Sequence, residues 1–438
     1  MKINYTPIGQ TNWRNENRTF YIKDIDRLGH MYVIGKTGVG KSTLLLNMAI
    51  SDIQKGKGLC VIDPHGDIAE SLLDHIPKER INDVIYFNPK DREFPIGFNP
   101  LKAVHPQFHH LVTSGLISTF KKIWSESWGP RLEYILRFSI LTLLEFPDAT
   151  LVDIQALLTN PKFRNHVLNY VTNPHTISFW RNEFEKYSNT FRSEAITPIL
   201  NKTGVFITSS ILRNIVGQPT RSFRMQQVMD KRKIFIANLS KGEIGEDTSS
   251  ILGSIILTSI QLAATYRATF KEEDRIPFYV YIDEMHSFVT LSFIDILAEA
   301  RKYKLSLFLT HQYIDQVPEK IRNAIFGNVG TMVSFRIGAT DAQFIEKEFN
   351  PPFQTDDLIQ LPKHCMYLKL MIDGATSKPF SALSLPPTLS IESFKNEIIS
   401  KSRLTYGKER KSVEEYIFEK LKLEVVEEKL GGLFDTVK

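Results

Sequence analysis

The feature that most constrains this chain is Met31 to Asn47, MYVIGKTGVGKSTLLLN. Tyr32, Val33 and Ile34 run directly into Gly35-Lys36-Thr37-Gly38-Val39-Gly40-Lys41-Ser42, which fits G-x-x-x-x-G-K-[ST] at every fixed position. The pattern predicts a strand, a loop and a helix start, with helix from Leu44 to Gln54 and a stop at Gly56. Glycines let the backbone turn tightly and approach an anion. Successive N–H groups and the positive end of the helix then point at one phosphate chain. Lys41 supplies a point charge for the β and γ phosphates, Ser42 is the expected Mg²⁺ ligand, and Thr43 falls where the α phosphate lies. Gly35 to Thr43 is therefore the candidate nucleotide-binding segment. A glycine loop that only turned a corner would need neither Lys41 nor Ser42.

A second element fixes the chemistry. In Pro277 to Phe288, PFYVYIDEMHSF, a buried strand ends in two adjacent carboxylates. Asp283 is expected to hold Mg²⁺ through water, and Glu284 to orient or deprotonate the water that attacks the γ phosphate. One acid would suit a nucleotide switch; the added glutamate argues for hydrolysis. Guanine-specific proteins usually carry Asn-Lys-x-Asp, whereas Asn201-Lys202-Thr203-Gly204 lacks the aspartate, so ATP is the expected nucleotide. Downstream, Gln312 ends a strand expected to run beside the phosphate-loop strand, where its amide can bond the γ phosphate and attacking water. Arg301, at the domain edge, can reach the ATP of a neighbouring subunit and stabilise charge on the transferred phosphoryl group. Arg336 is a weaker contender for that role.

Short apolar runs alternate with helical stretches, predicting strands at Gly58 to Ile62, Val84 to Phe87, Ile234 to Ala237, Tyr279 to Ile282, Ser306 to Leu309 and Met332 to Phe335. That rhythm gives an α/β fold, a parallel sheet with helices on both faces. From Val104 to about Met229 the periods turn helical, which reads as an all-helical insertion. Expected boundaries are an edge segment 1–29 with a strand at Phe20 to Ile22, core 30–103, insertion 104–230, core 231–387 with a hairpin at Asp373-Gly374, and a helical tail 388–438. The charged part of that tail, Ile391 to Lys429, reads as an exposed helix docking on the core or a neighbour.

Of 438 residues, 42% are hydrophobic and 24% charged, which suits a globular chain, and a net charge of +5 permits an anionic partner without demanding one. The two cysteines, Cys60 and Cys365, lie in apolar runs and read as reduced core residues of a cytosolic protein. Tyr134 to Phe146 and Ile251 to Ala264 read as too short or too interrupted to span a bilayer, and the N-terminus has no apolar signal region. The expected location is the cytoplasm, with no membrane insertion by this chain.

VIGKTGVGKSTLL, VIDPHGDIAESLL, WGPRLEYILR, NLSKGEIGEDTSSILGS, YIDEMHSF, EARKYKLSLFLTHQY and FGNVGTMVSFRIGATDAQF together resemble the HerA/FtsK superfamily of DNA-pumping ATPases. The nearest likeness is to TraG-like type IV secretion coupling ATPases and their soluble relatives, from about Asp24 to Leu385. The resemblance implies a RecA-like P-loop core with a helical insertion, a homo-oligomeric ring, expected to be a hexamer, ATP bound between subunits and double- or single-stranded DNA threaded through the centre. It places Lys41, Ser42, Asp283, Glu284, Gln312 and Arg301 on the family's functional positions. HerA pumps carry an N-terminal β-barrel and conjugative coupling proteins carry N-terminal membrane helices, while here some thirty residues precede the phosphate loop. The first departure weakens the expectation of a barrel-bound nuclease partner; the second argues against an anchored secretion channel.

The expected function is an ATP-driven DNA translocase. The alternative is a nucleotide-gated ring scaffold that activates an effector such as a nuclease. Weaker signals have plainer readings: His105, His109 and His110 as a solvated face, Asp63 and His65 as either a tight turn or groups near the nucleotide or pore, Trp124 and Trp128 as insertion packing. Lys241 and Lys302 are candidate DNA-phosphate contacts.

Overall fold

Each predicted buried run forms a strand in the computed structural model, which describes residues 5–420 apart from 13, 15, 103, 221 and 391. In chain order the strands are β1 (Tyr5–Thr11), β2 (Thr19–Lys23), β3 (Met31–Ile34), β4 (Gly58–Asp63), β5 (Val84–Phe87), β6 (Ile234–Asn238) and β7 (Phe278–Ile282). They continue with β8 (Leu305–His311), β9 (Thr331–Ser334), β10 (Cys365–Lys369), β11 (Met371–Ile372), β12 (Ala375–Thr376) and β13 (Phe380–Ser384). One sheet takes the order β2-β1-β13-β10-β9-β3-β8-β7-β4-β6-β5. From β9 to β5 every pairing is parallel, and β10, β13, β1 and β2 add an antiparallel flank.

Alternate residues of a strand face opposite sides of a sheet. Val33, Val61, Ile236 and Tyr281 pack into one core with Leu45, Met48 and Ile50 of the helix Lys41–Gln54 and Leu72 of the helix Asp67–Leu73. The intervening Tyr32, Cys60, Phe235 and Ile282 are equally buried, so both faces are covered, as continuous apolar strands require.

Two compact units result. One comprises the described residues of Met1–Phe87 and Met225–Ser402, and holds the whole sheet; the other comprises those of Asn88–Arg224 and Arg403–Lys438. The second is helical, with a core around Phe120, Trp180, Phe184 and Phe206, and Trp180 Nε1 donates to Thr142 Oγ1 at 2.7 Å. It starts at Asn88 rather than at the expected 104, and it takes in the stretch after Arg403, where an isolated bridge joins Ile96 to Gly407.

Several local readings need correction. The N-terminal segment contributes two strands: β1 was hidden by Pro7 and Gly9, between which its register with β2 shifts. The antiparallel flank from β10 and β13 was likewise unforeseen. The hairpin at Asp373-Gly374 forms between β11 and β12, with both residues at positive φ. The helix Asp67–Leu73 is held from outside by Asp63, which accepts Ala69 N–H at 2.9 Å and His65 N–H at 2.8 Å, and this makes the turn reading of Asp63 sufficient. Cys60 is buried but Cys365 only partly, and both are free thiols.

The tail contains a helix Lys395–Tyr406 and a helical stretch 410–420, while Ile391 and residues 421–429 lie outside the described residues.

Among the described residues one helix, Glu246–Thr269, is long and apolar enough by length and composition to cross a membrane, contrary to the reading of Ile251 to Ala264 as too interrupted. Its apolar window is 78% buried in the protein. The interrupting hydroxyls have partners there: Ser249 donates to the Leu239 carbonyl and Ser254 to the Phe288 carbonyl, each at 2.7 Å.

Candidate active site

The loop after β3 takes its shape from three glycines. A Cβ on Gly35 would lie 2.7 Å from Phe335 Cβ, and Gly38 and Gly40 have φ of 75° and 126°, which side chains oppose. Neighbouring strands fix the loop, since Lys36 N–H donates to the Arg336 carbonyl at 2.8 Å and His364 N–H to the Val39 carbonyl at 3.1 Å. Lys36, Thr37, Gly38 and Ser42 are exposed, Gly40 and Thr43 half-buried. Lys41 is buried, with Nζ donating to the carbonyls of Gly35 at 2.6 Å and Lys36 at 3.1 Å. Burial lowers its pKa, against the opposing pull of Glu284 and Asp283. The loop and the acid pair thus share one electrostatic site.

That pair stands at the end of β7, with both side chains buried. Thr310 of β8 ties them together: its hydroxyl donates to Asp283 Oδ1 at 2.7 Å and accepts Glu284 N–H at 3.2 Å. Glu284 sits at φ 45°, in the left-handed region, so the chain turns sharply as the strand ends. Gln312 Nε2 donates to Glu284 Oε1 at 3.0 Å. Parallel pairing of β3 with β8 sets Ile34 opposite His311, which puts Gln312 beside the phosphate loop.

Burial pushes the Asp283 carboxyl up to about 6, with Asp63 and Glu284 adding repulsion and the Thr310 hydrogen bond opposing. A raised acid binds more protons folded than unfolded, so it costs stability above about pH 6 and nothing below the ordinary carboxylate range near 3.8. The cost is at most about 3 kcal/mol. Asp283→Asn, which keeps an acceptor for Thr310, is therefore expected to melt higher than wild type at pH 8, with the gap closing toward pH 4. Equal melting temperatures at pH 8 would contradict this.

Residues 14–259, more than half of the chain, match the family described as the central domain of helicase HerA. The chain belongs to this family. Membership places it among the P-loop ATPases, and its fold agrees. The plasmid coupling protein TrwB in complex with ADP and Mg²⁺ superposes with a TM-score of 0.63 at 15% identity, over 88% of this chain and 90% of that one. TrwB with the ATP analogue ADPNP gives 0.61 at 16% identity, over 84% and 87%. VirB4 of Thermoanaerobacter pseudethanolicus gives 0.57 at 14%, over 87% and 96%. No functionally curated protein matches the chain.

In this HerA-family chain the other candidates fall outside the Lys41, Asp283, Glu284 and Gln312 cluster. Arg301 is exposed on the short helix Ala300–Tyr303, and Arg336 is exposed beyond β9, next to the loop it anchors through its carbonyl. His65 is exposed, though near enough for its charge to act on Asp283. His105 Nδ1 accepts Gln107 N–H and His109 Nε2 lies 3.2 Å from the Val104 carbonyl; among the described residues no group of three or more His, Cys, Asp or Glu could hold a metal alone. Trp124 leans on Phe120, while Trp128 donates to Glu133 at 2.8 Å. Lys241 lies 3.6 Å from Glu246, and Lys302 is exposed over the Tyr303 ring.

Sequence reasoning missed Thr310 and His311. His311 is buried beside Tyr32, whose hydroxyl is 3.1 Å from Nδ1, and burial pulls its pKa down to about 3, aided by His286 and Lys41. A threonine and a histidine closing the mostly apolar strand LSLFLTH were the available signal.

Proposed function

We propose that this chain hydrolyses ATP at the Gly35 to Thr43 loop and uses the energy to move DNA, working as a homo-oligomeric ring, a hexamer, in the cytoplasm. The observation that carries the hydrolytic part is the buried Asp283–Glu284 pair acting on Lys41, with Gln312 bonded to Glu284.

The donor set fits Mg²⁺-ATP. Gly38 leaves open space, since a Cβ there would meet nothing within 4 Å, and an exposed hydroxyl, Ser42, stands at the start of the helix. One hydroxyl and one carboxylate, Ser42 and Asp283, suffice for an ion that takes its other ligands from phosphate and water and supplies positive charge against the phosphate oxygens. Lys41 pairs with the β and γ phosphates. Glu284 orients the attacking water and takes its proton, using Oε2, which has no hydrogen-bond partner, while Gln312 holds Oε1. Gln312 thereby links the water's position to β8 and to the sheet.

DNA as the driven substrate is supported by the helicase family and by likeness to a bacterial conjugative coupling protein. The test is ATP turnover with and without duplex and single-stranded DNA. Stimulation by one form is expected; one rate under all conditions contradicts the coupling.

Arg301 carries the ring. Its side chain is exposed and makes no hydrogen bond or ion pair among the described residues, as a group donated to a neighbour's ATP would do, while its carbonyl accepts the Lys304 N–H at 3.0 Å. Mixing inactive Arg301→Ala and Lys41→Ala subunits is expected to restore part of the turnover, because some interfaces then join an intact loop to an intact arginine. No recovery at any ratio would contradict the shared site.

A further inference from the structure

We infer that His286 is a positioning residue for Glu284, held in one tautomer by Gln316 so that its Nδ1–H faces the carboxylate oxygen that takes the proton from water. The inference rests on the hydrolytic role proposed for Glu284.

The geometry starts from the backbone. Left-handed Glu284 and the short helix Met285–Ser287 fold the chain back on itself. His286 Nδ1 then lies 3.5 Å from Glu284 Oε2, a few tenths of an ångström beyond a formed N–H···O bond, so a small shift of either side chain closes it. Glu284 Oε2 is buried and has no hydrogen-bond partner, while Oε1 is taken by Gln312.

The opposite ring nitrogen decides the tautomer. Tyr313 N–H donates to Gln316 Oε1 at 3.4 Å, which turns the amide so that its NH₂ group faces the ring. Gln316 Nε2 is 3.4 Å from His286 Nε2, and the Ser287 hydroxyl approaches the same nitrogen at 3.5 Å. An amide NH₂ only donates, so Nε2 must accept, and in a neutral imidazole the proton then sits on Nδ1. Hydrogen bonds run from Tyr313 N–H to Gln316 and from Gln316 to His286, whose Nδ1 faces Glu284 Oε2, while Gln312 donates to Oε1. The loop after β8 therefore sets both sides of the Glu284 carboxylate, through Gln312 directly and through Gln316 by way of His286.

A second donor narrows the carboxylate to one orientation without giving it a full countercharge. A neutral imidazole offers an N–H to the carboxylate without setting a full positive charge beside it.

The test compares His286→Ala with His286→Asn, whose amide nitrogen can occupy the Nδ1 position. For His286→Ala, kcat is expected to fall about tenfold, a part of the hundredfold or more that a general base supplies, with KM for ATP nearly unchanged. His286→Asn is expected to regain much of that loss. Gln316→Leu, which frees the tautomer, should reduce kcat in the same direction by a smaller factor, and it carries the test if the alanine variant does not fold. On a Glu284→Gln background the His286→Ala change should have no further effect. Wild-type kcat in His286→Ala, or an asparagine variant no better than alanine, would overturn the inference. Equal turnover by wild type and Glu284→Gln would instead overturn the hydrolytic assignment beneath it.

Discussion

Glu284→Gln is expected to bind Mg²⁺-ATP as wild type does and to turn it over about a hundred to ten thousand times more slowly, the range that a positioned general base contributes. Glutamine keeps the length and an acceptor for the Gln312 amide, so the packing that holds residue 284 survives. What it lacks is an anionic oxygen in the place of Oε2, which is buried and without a hydrogen-bond partner. Lys41 and Asp283 remain, so nucleotide affinity is retained. Fluorescent-nucleotide titration and phosphate release separate the two quantities. Retained affinity with lost turnover fits the account, and turnover close to wild type would remove Glu284 from the chemistry.

The second large effect is on stability. Asp52, fully buried on the helix Lys41–Gln54, accepts two bonds from Arg27, at 2.7 and 2.8 Å, and one from the Tyr281 hydroxyl of β7 at 2.6 Å. Arg27 also reaches Tyr281 and Thr6, and its guanidinium lies 4.0 Å from the centre of the Tyr279 ring. Lys57 completes the group at 3.0 Å from Asp52. Burial raises the Asp52 carboxyl, but Arg27 and Lys57 outweigh it and leave the pKa lowered. Its contribution to stability is therefore full at neutral pH and is lost as pH falls through the folded value.

Asp52→Ala leaves the buried Arg27 without its main counter-charge, at a cost of about 3 to 5 kcal/mol. Chemical denaturation of the purified protein measures it. Adding Arg27→Met should recover part of the loss, since removing both charges also removes the desolvation penalty. A loss under about 1 kcal/mol in the single variant, the size of an ordinary surface pair, would contradict the reading of this cluster.

What could be read in the sequence was what is local. The phosphate loop combines glycines, a lysine and a hydroxyl within eight residues, and β3, β4, β6 and β7 announce themselves because burial on both faces demands unbroken apolar runs. β10 was legible only as the apolar run around Cys365, without a place in the sheet, because its burial alternates, half-buried Cys365, Tyr367 and Lys369 against buried Met366 and Leu368. The partners that tune the site escaped for a different reason. Gln316 and His286 are thirty residues apart and Arg27 and Tyr281 further still, brought together only by the strand order. Thr310 likewise meets Asp283 only because β7 and β8 are neighbours. Neither composition nor periodicity carries such pairings.

The most direct measurement of the central claim is ATP-driven displacement of a bound obstacle, such as streptavidin on a biotinylated DNA end. The account predicts that wild-type protein clears the obstacle only with hydrolysable ATP and that Glu284→Gln does not clear it at all. A wild-type protein that hydrolyses ATP in the presence of DNA, yet leaves every obstacle in place on duplex and single-stranded DNA alike, would contradict it.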